Sequence, residues 1–148
     1  MELQGEADIP APLEEVWNAL QDPDVLKECI DGCQEMSRST TTDYVAKIRA
    51  HVGPVRANFS ANIRMVDVVE LSGYTLEVSA TGGAAGFGKG VAHISLQEEE
   101  SSTKLSYEVS GIVGGKLAQI GSRLINGVTN KMAAQFFEKF VDRWTANE

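Results

Sequence analysis

No stretch of this chain approaches the ~18 consecutive apolar residues that a membrane-crossing helix requires. The first residues, MELQGEADIP, hold neither the basic nor the apolar block of a secretory signal, so none is expected. Cysteine is scarce: Cys29 and Cys33 are too close in sequence to close a useful loop, which argues against a disulfide scaffold and for a reducing, cytoplasmic setting. Basic residues are outnumbered, 13 Lys and Arg against 21 Asp and Glu, for a net charge of −8. With no basic run and no interleaving of basic and aromatic residues, nucleic acid is not an expected partner. Histidine occurs twice, at His51 and His93, on polar positions far apart in sequence, so no set of about four convergent metal ligands is visible and no metal is expected.

What remains is an ordinary folded composition, 43% hydrophobic and 23% charged, over 148 residues that fit a single domain spanning 1–148. Residues 2 to 9 alternate Leu3, Gly5, Ala7 and Ile9 with acidic and amide residues, the pattern of a half-buried strand. Leu13, Val16, Trp17 and Leu20 then recur at helical spacing, and Asp22-Pro23 reads as the cap and first residue of a second short helix that Gly32 ends. From Met36 the period becomes two. Tyr44 to Val52, Val55 to Met65, Tyr74 to Ala80, Ala92 to Leu96 and Leu105 to Val109 read as a meander of antiparallel strands joined by turns. After Gly114-Gly115 the spacing predicts one long helix from about Lys116 to Trp144. Its wide apolar stripe needs a curved sheet to cover it.

The inward strand positions are stocked with small residues, among them Ala46, Ala50, Ala57, Ala61, Ala80, Ala92 and Gly111. Protein interiors are packed to a density of about 0.74, so bulk must come from elsewhere. The helix concentrates its bulk in Phe136, Phe137, Phe140 and Trp144, while its first half offers Ala118, Gly121, Ser122 and Gly127. This places an expected apolar cavity beside the N-terminal half of the helix, unless Trp17, Leu20 and Leu26 of the short helices fill it.

Gly82 to Gly90 (GGAAGFGKG) is not a phosphate loop, because Gly90 follows Lys89 and the chain enters a strand. It reads as a mobile hairpin loop with Phe87 at its tip, placed to cap the cavity or touch a membrane. Cys29 suits a buried apolar position and Cys33 a loop. No nucleophile–base pattern and no paired inward carboxylates appear, so no catalytic residue is assigned. Tyr44, Tyr74 and Tyr107 fall on inward registers, where a hydroxyl orients a carbonyl-bearing ligand or simply completes the core. Lys116 and Arg123, seven apart, share one side of the predicted helix and suit an anionic headgroup, a partner carboxylate or plain solvation.

Several stretches carry a resemblance: PLEEVW (12–17), DPDVLKECIDGC (22–33), VGPVRANFSANI (52–63), GGAAGFGKGVAHISL (82–96) and, most specifically, VGGKLAQIGSRLI (113–125). Together they resemble the carbon monoxide dehydrogenase G-subunit (CoxG) family of the START/Bet v1-like (SRPBCC) helix-grip superfamily. One departure is Asp31, where the family commonly has proline before the glycine, which implies a looser loop. The resemblance implies an α+β helix-grip fold, with a curved antiparallel sheet of about seven strands around a long C-terminal helix and two short helices after strand 1. It also implies a partner, a molybdenum carbon monoxide dehydrogenase-type enzyme, and a lipid- or quinone-like ligand with no other cofactor. The resemblance also implies that many relatives carry a C-terminal extension able to reach a membrane; none is expected within these 148 residues.

The resulting expectation is a non-enzymatic carrier of a hydrophobic small molecule, cytoplasmic, with room for weak peripheral contact at the inner membrane face. A protein-binding assembly factor and a cyclase- or aromatase-like enzyme are the alternatives. The expected ligand-binding residues are Tyr44, Ile48, Phe59, Ile63, Leu76, Phe87, Tyr107, Leu117, Ile120, Gly121, Leu124 and Val128, and a bulky side chain at Gly121 is expected to plug the cavity.

Overall fold

The computed structural model describes residues 1–145, so the expected domain end at Glu148 lies outside the described residues. Strand β1 (Glu2–Ile9) alternates exposed and half-buried positions as its sequence predicts. Pro12 then fixes the entry to helix α1 (Leu13–Ala19), which buries Val16 and Trp17. Helix α2 (Pro23–Cys29) starts with the Asp22 carboxylate accepting the Asp24 N–H at 2.9 Å, which satisfies a donor the helix itself leaves free. Gly32, at φ +78°, turns the chain out of that helix. A Cβ there would strike the Arg49 carbonyl.

Six more strands follow: β2 (Cys33–Arg38), β3 (Asp43–Val52), β4 (Val55–Val69), β5 (Gly73–Thr81), β6 (Phe87–Glu98) and β7 (Thr103–Gly114). They form one antiparallel, curved sheet in the order β1-β7-β6-β5-β4-β3-β2. Strands β1 and β2 are therefore its two edges, and α1 with α2 carries the chain from one edge to the other. The architecture is the α+β helix-grip arrangement that the sequence predicts.

Two expectations are corrected. The loop expected over Gly82 to Gly90 is shorter, a single 3-10 turn at Gly83–Ala85. Phe87 to Gly90 already pair with β5 and with β7, where Gly90 lies opposite Gly111. A Cβ on Gly111 would approach the Lys89 carbonyl oxygen to 2.7 Å, so these glycines serve close strand approach. The single helix expected from Lys116 is two, α3 (Lys116–Ile120) and α4 (Ser122–Thr145). Gly121 separates them at φ +99° and ψ 148°, a conformation that only glycine adopts without strain. Lys116 and Arg123 consequently sit on different helices, and the shared face predicted from their spacing does not exist.

The main core gathers Ile9, Val16, Cys29, Leu105 and Phe140 around Thr103, all buried. The Thr103 hydroxyl is satisfied by donating to the Ala11 carbonyl at 2.9 Å. Ala85, Leu117 and Ile125 are also buried but stand apart from this core, at the end of the sheet where α4 begins. Between Ile125 and Phe136, the helix positions Val128 and Met132 are only half-buried. The interior is thus packed tightly at one end and loosely at the other.

Two glycines of the C-terminal region should respond oppositely to the same substitution. Gly121→Ala forces an L-residue into a left-handed conformation and is expected to cost about 1–3 kcal/mol. Gly127→Ala, on an exposed helical position with open space around it, is expected to stabilise by about 1 kcal/mol. Urea unfolding of the two variants beside the parent checks both signs.

Candidate functional site

Against the tightly packed end lies a cavity of about 190 Å³. The sheet supplies one wall, with Tyr44 of β3 opposite Ile63 of β4, Met65 opposite Leu76 of β5, and Tyr74 opposite Ile94 of β6. Leu105 extends that wall onto β7. The second wall is Leu20, Leu26, Ile30 and Met36, from the α1–α2 segment and β2. Phe136 and Phe137 of α4 close the third side. Every lining side chain is apolar or a phenol.

The aromatic rings of α4 explain why this space stays open. Phe136 stacks on Phe140 with centroids 5.8 Å apart, and Phe137 stacks on Tyr107 at 5.1 Å. The two phenylalanines meet edge to face at 5.1 Å, and Phe140 meets Trp144 in the same way at 5.1 Å. Each ring is held by its neighbours in a favoured aromatic geometry, so none is free to swing into the gap. On the far side Trp17 packs edgewise on Tyr74 at 5.6 Å and fixes that ring too. Rigid walls and a void between them follow from the same contacts.

Polar character is confined to the two phenols. The Tyr44 hydroxyl donates to the Gln21 carbonyl at 2.7 Å and ties β3 to the end of α1. Burial pushes its phenol up, against a smaller downward pull from Arg38, whose guanidinium lies 5.4 Å from the ring centre. Burial also pushes the Tyr74 phenol up, with Tyr44 adding to the effect, so Tyr74 stays a neutral donor across the physiological range. Among the described residues the Tyr74 hydroxyl has no hydrogen-bond partner. Among the described residues, no carboxylate, imidazole or ammonium lines the space. An apolar molecule with one neutral acceptor oxygen suits it, whereas an anion would be buried without compensation. At about 190 Å³ it exceeds an engineered benzene-binding cavity of about 150 Å³ and falls short of the ~300 Å³ of small drug sites. A ring or a branched chain end fits.

The location differs from the one expected. The enclosed space faces the C-terminal half of α4, not its N-terminal half, because the phenylalanines counted as filler stack on one another. Of the twelve expected residues, the structure brings Tyr44, Ile63 and Leu76 together on the lining, with Tyr107 just behind Phe137. The other eight lie elsewhere. Ile48 and Phe59 are paired across β3 and β4, and a Cβ on Gly82 would come within 2.6 Å of the Phe59 ring. Leu117 is buried in α3, and Ile120 and Leu124 reach the Gly53 turn, where a Cβ would lie 2.5 Å from Leu124 Cδ2. Val128 is half-buried, Phe87 is 39% exposed, and Gly121 is exposed with no neighbour within 4 Å, so bulk at Gly121 would not reach the cavity.

Leu20 and Leu26, which the alternative reading of the short helices has filling the gap, wall the cavity instead. Asn126 was missed. Its side-chain oxygen is buried without a partner among the described residues. Its signal was a polar residue in register with Thr129, Ala133 and Phe140 on the apolar stripe of α4. Asp31, expected to loosen its loop, lies 3.9 Å from Lys139 of α4, an exposed and therefore weak ion pair.

The profile of the carbon monoxide dehydrogenase G-subunit (CoxG) family matches residues 5–143. The chain belongs to the CoxG family. A conserved protein from Geobacillus kaustophilus is similar to this CoxG-family chain at 31% identity, over 97% of this chain and 94% of that one, with a TM-score of 0.89. A START superfamily protein from Mycobacterium smegmatis shares the fold at a TM-score of 0.74 and 9% identity, over 99% of each chain. A Thermus thermophilus protein does so at 0.70 and 14% identity, over 100% of this chain and 99% of its own. No curated protein matches. Among the described residues, no helix is long and apolar enough to cross a membrane.

The two cavity phenols of this CoxG-family chain should separate in a stability measurement. Tyr44→Phe removes a made hydrogen bond and is expected to cost about 1 kcal/mol. Tyr74→Phe removes a hydroxyl that makes no hydrogen bond among the described residues and is expected to be close to neutral, as read by urea unfolding midpoints.

Proposed function

We propose that this protein is a non-catalytic carrier that holds the ring-sized end of a lipid- or quinone-like molecule, beside a molybdenum carbon monoxide dehydrogenase-type enzyme. The observation that carries the reading is the cavity itself, walled by apolar side chains and the phenols of Tyr44 and Tyr74, the latter without a hydrogen-bond partner among the described residues. Burying apolar ligand surface there contributes about 25 cal/mol per Å², and a hydrogen bond from Tyr74 to a neutral oxygen fixes orientation. Among the described residues the lining offers no acid–base pair, which favours carriage over cyclase-like chemistry. The enzyme partner rests on membership of the CoxG family alone.

Filling the cavity tests the reading. Ile63→Phe and Leu76→Phe place a ring where the ligand would sit, and their binding of 1,4-naphthoquinone is measured by quenching of the tryptophan fluorescence, Trp17 lying against Tyr74. Saturable quenching of the parent is expected to weaken at least about tenfold in both variants, the loss of about 1.4 kcal/mol of binding. Equal binding by parent and variants with unchanged unfolding would contradict the carrier role and favour an assembly factor without a ligand.

A further inference from the structure

The sheet ends in two edge strands, and the two edges are finished differently. Strand β2 has six residues, a register shift between Cys33 and Glu35, and α2 packed against it. Each of these features discourages a further strand from adding to an edge. Strand β1 has eight residues and pairs with β7 in unbroken register from Glu2 to Ile9.

The pairing of Met1 with Gly111 fixes which backbone groups of β1 are used. The Met1 amino group donates to the Gly111 carbonyl at 3.1 Å, and the Gly111 N–H donates to the Met1 carbonyl at 2.9 Å. Such mutually bonded pairs alternate along an antiparallel ladder, so Leu3, Gly5, Ala7 and Ile9 turn their N–H and C=O groups toward β7. Glu2, Gln4, Glu6 and Asp8 turn theirs to the open side. Among the described residues these N–H and C=O groups have no partner. The side chains of the same four residues are exposed on the outer face of the sheet, while Leu3, Gly5 and Ala7 are half-buried on the inner face. The outer row is acidic. Glu108 of β7 lies opposite Gln4, and the only cation on the facing stretch of β7 is Lys104, opposite Asp8 and 3.6 Å from Glu6.

We propose that β1 is a docking edge that takes up an extended segment of a partner protein in which basic and apolar residues alternate. Strand addition there satisfies the open row of backbone donors and acceptors. Lysine or arginine opposite Glu2, Glu6 and Asp8 meets their carboxylates on the outer face, and the residues between turn toward the apolar inner face. A second copy of this chain does not suit the edge. Antiparallel pairing of two β1 strands centred on Gly5 sets Glu2 against Asp8 twice, and like charges directly opposed across strands are destabilising. The acids therefore block self-pairing and admit a basic strand.

The probe is a capped seven-residue peptide alternating lysine and valine, titrated into the full chain and followed by calorimetry and amide hydrogen exchange. In the free protein the Glu2, Gln4, Glu6 and Asp8 amides are expected to exchange fast and those of Leu3, Gly5 and Ala7 slowly. The peptide is expected to slow the first set at least about tenfold. N-methylation of its lysine amides, which face β1, or glutamate in place of lysine, is expected to weaken binding at least about tenfold. Gln4→Pro removes one edge donor without touching a hydrogen bond to β7, and Glu6→Lys/Asp8→Lys reverses the charge of the row. Both are expected to bind at least about tenfold less. Asp24→Lys/Glu70→Lys makes the same change in net charge on exposed positions of α2 and the β4–β5 turn, and should bind as the parent does. Equal binding of the N-methylated peptide, an equal loss in Asp24→Lys/Glu70→Lys, or no binding by the parent overturns the inference. So does slow exchange of the Glu2, Gln4, Glu6 and Asp8 amides in a dimer of the parent without peptide, which gives the edge to a second copy. The N-methylated peptide is tested on the unaltered chain, so its result stands even where Gln4→Pro fails to fold.

Discussion

The aromatic stack along the inner face of α4 is the interaction on which the rest depends. Phe140 is wholly buried and meets Phe136 on one side and Trp144 on the other. Phe137 continues the stack to Tyr107 on the sheet. These contacts fasten the helix to the cup by its C-terminal half, and they commit the rings to one another. Close packing elsewhere then leaves a space that no side chain is free to occupy. The cavity is a consequence of how the helix is held.

Fastening one half of α4 leaves the other half at liberty to differ. Gly121 breaks the chain before it, Val128 and Met132 are half-buried, and the small core of Ala85, Leu117 and Ile125 is separate from the main one.

Much of the fold was legible because it depends on local pattern. The alternation from Val55 to Met65 announced β4, and Asp22-Pro23 announced the start of α2. The break at Gly121 was not legible, since Leu117, Ile120 and Leu124 keep helical spacing straight across it and only the backbone angle reveals it. The cavity was legible in kind but misplaced in position. Bulk at Phe136 and Phe137 reads as filler in a sequence, whereas their stacking partners are fixed only by tertiary packing. Tyr74 was seen to face inward, but the lack of a partner for its hydroxyl emerged only with Tyr44 already committed to Gln21.

The central claim is that the space between Tyr44, Tyr74 and Phe136 is a persistent apolar cavity. A crystal structure of the protein under xenon pressure tests it most directly, because xenon enters dry apolar cavities of this size. The account predicts a xenon site bounded by Ile63, Leu76 and Phe136, with the surrounding rings unmoved. The contrary result is a structure with no xenon there and with Phe136 or Phe137 swung off its stacking partner to fill the space.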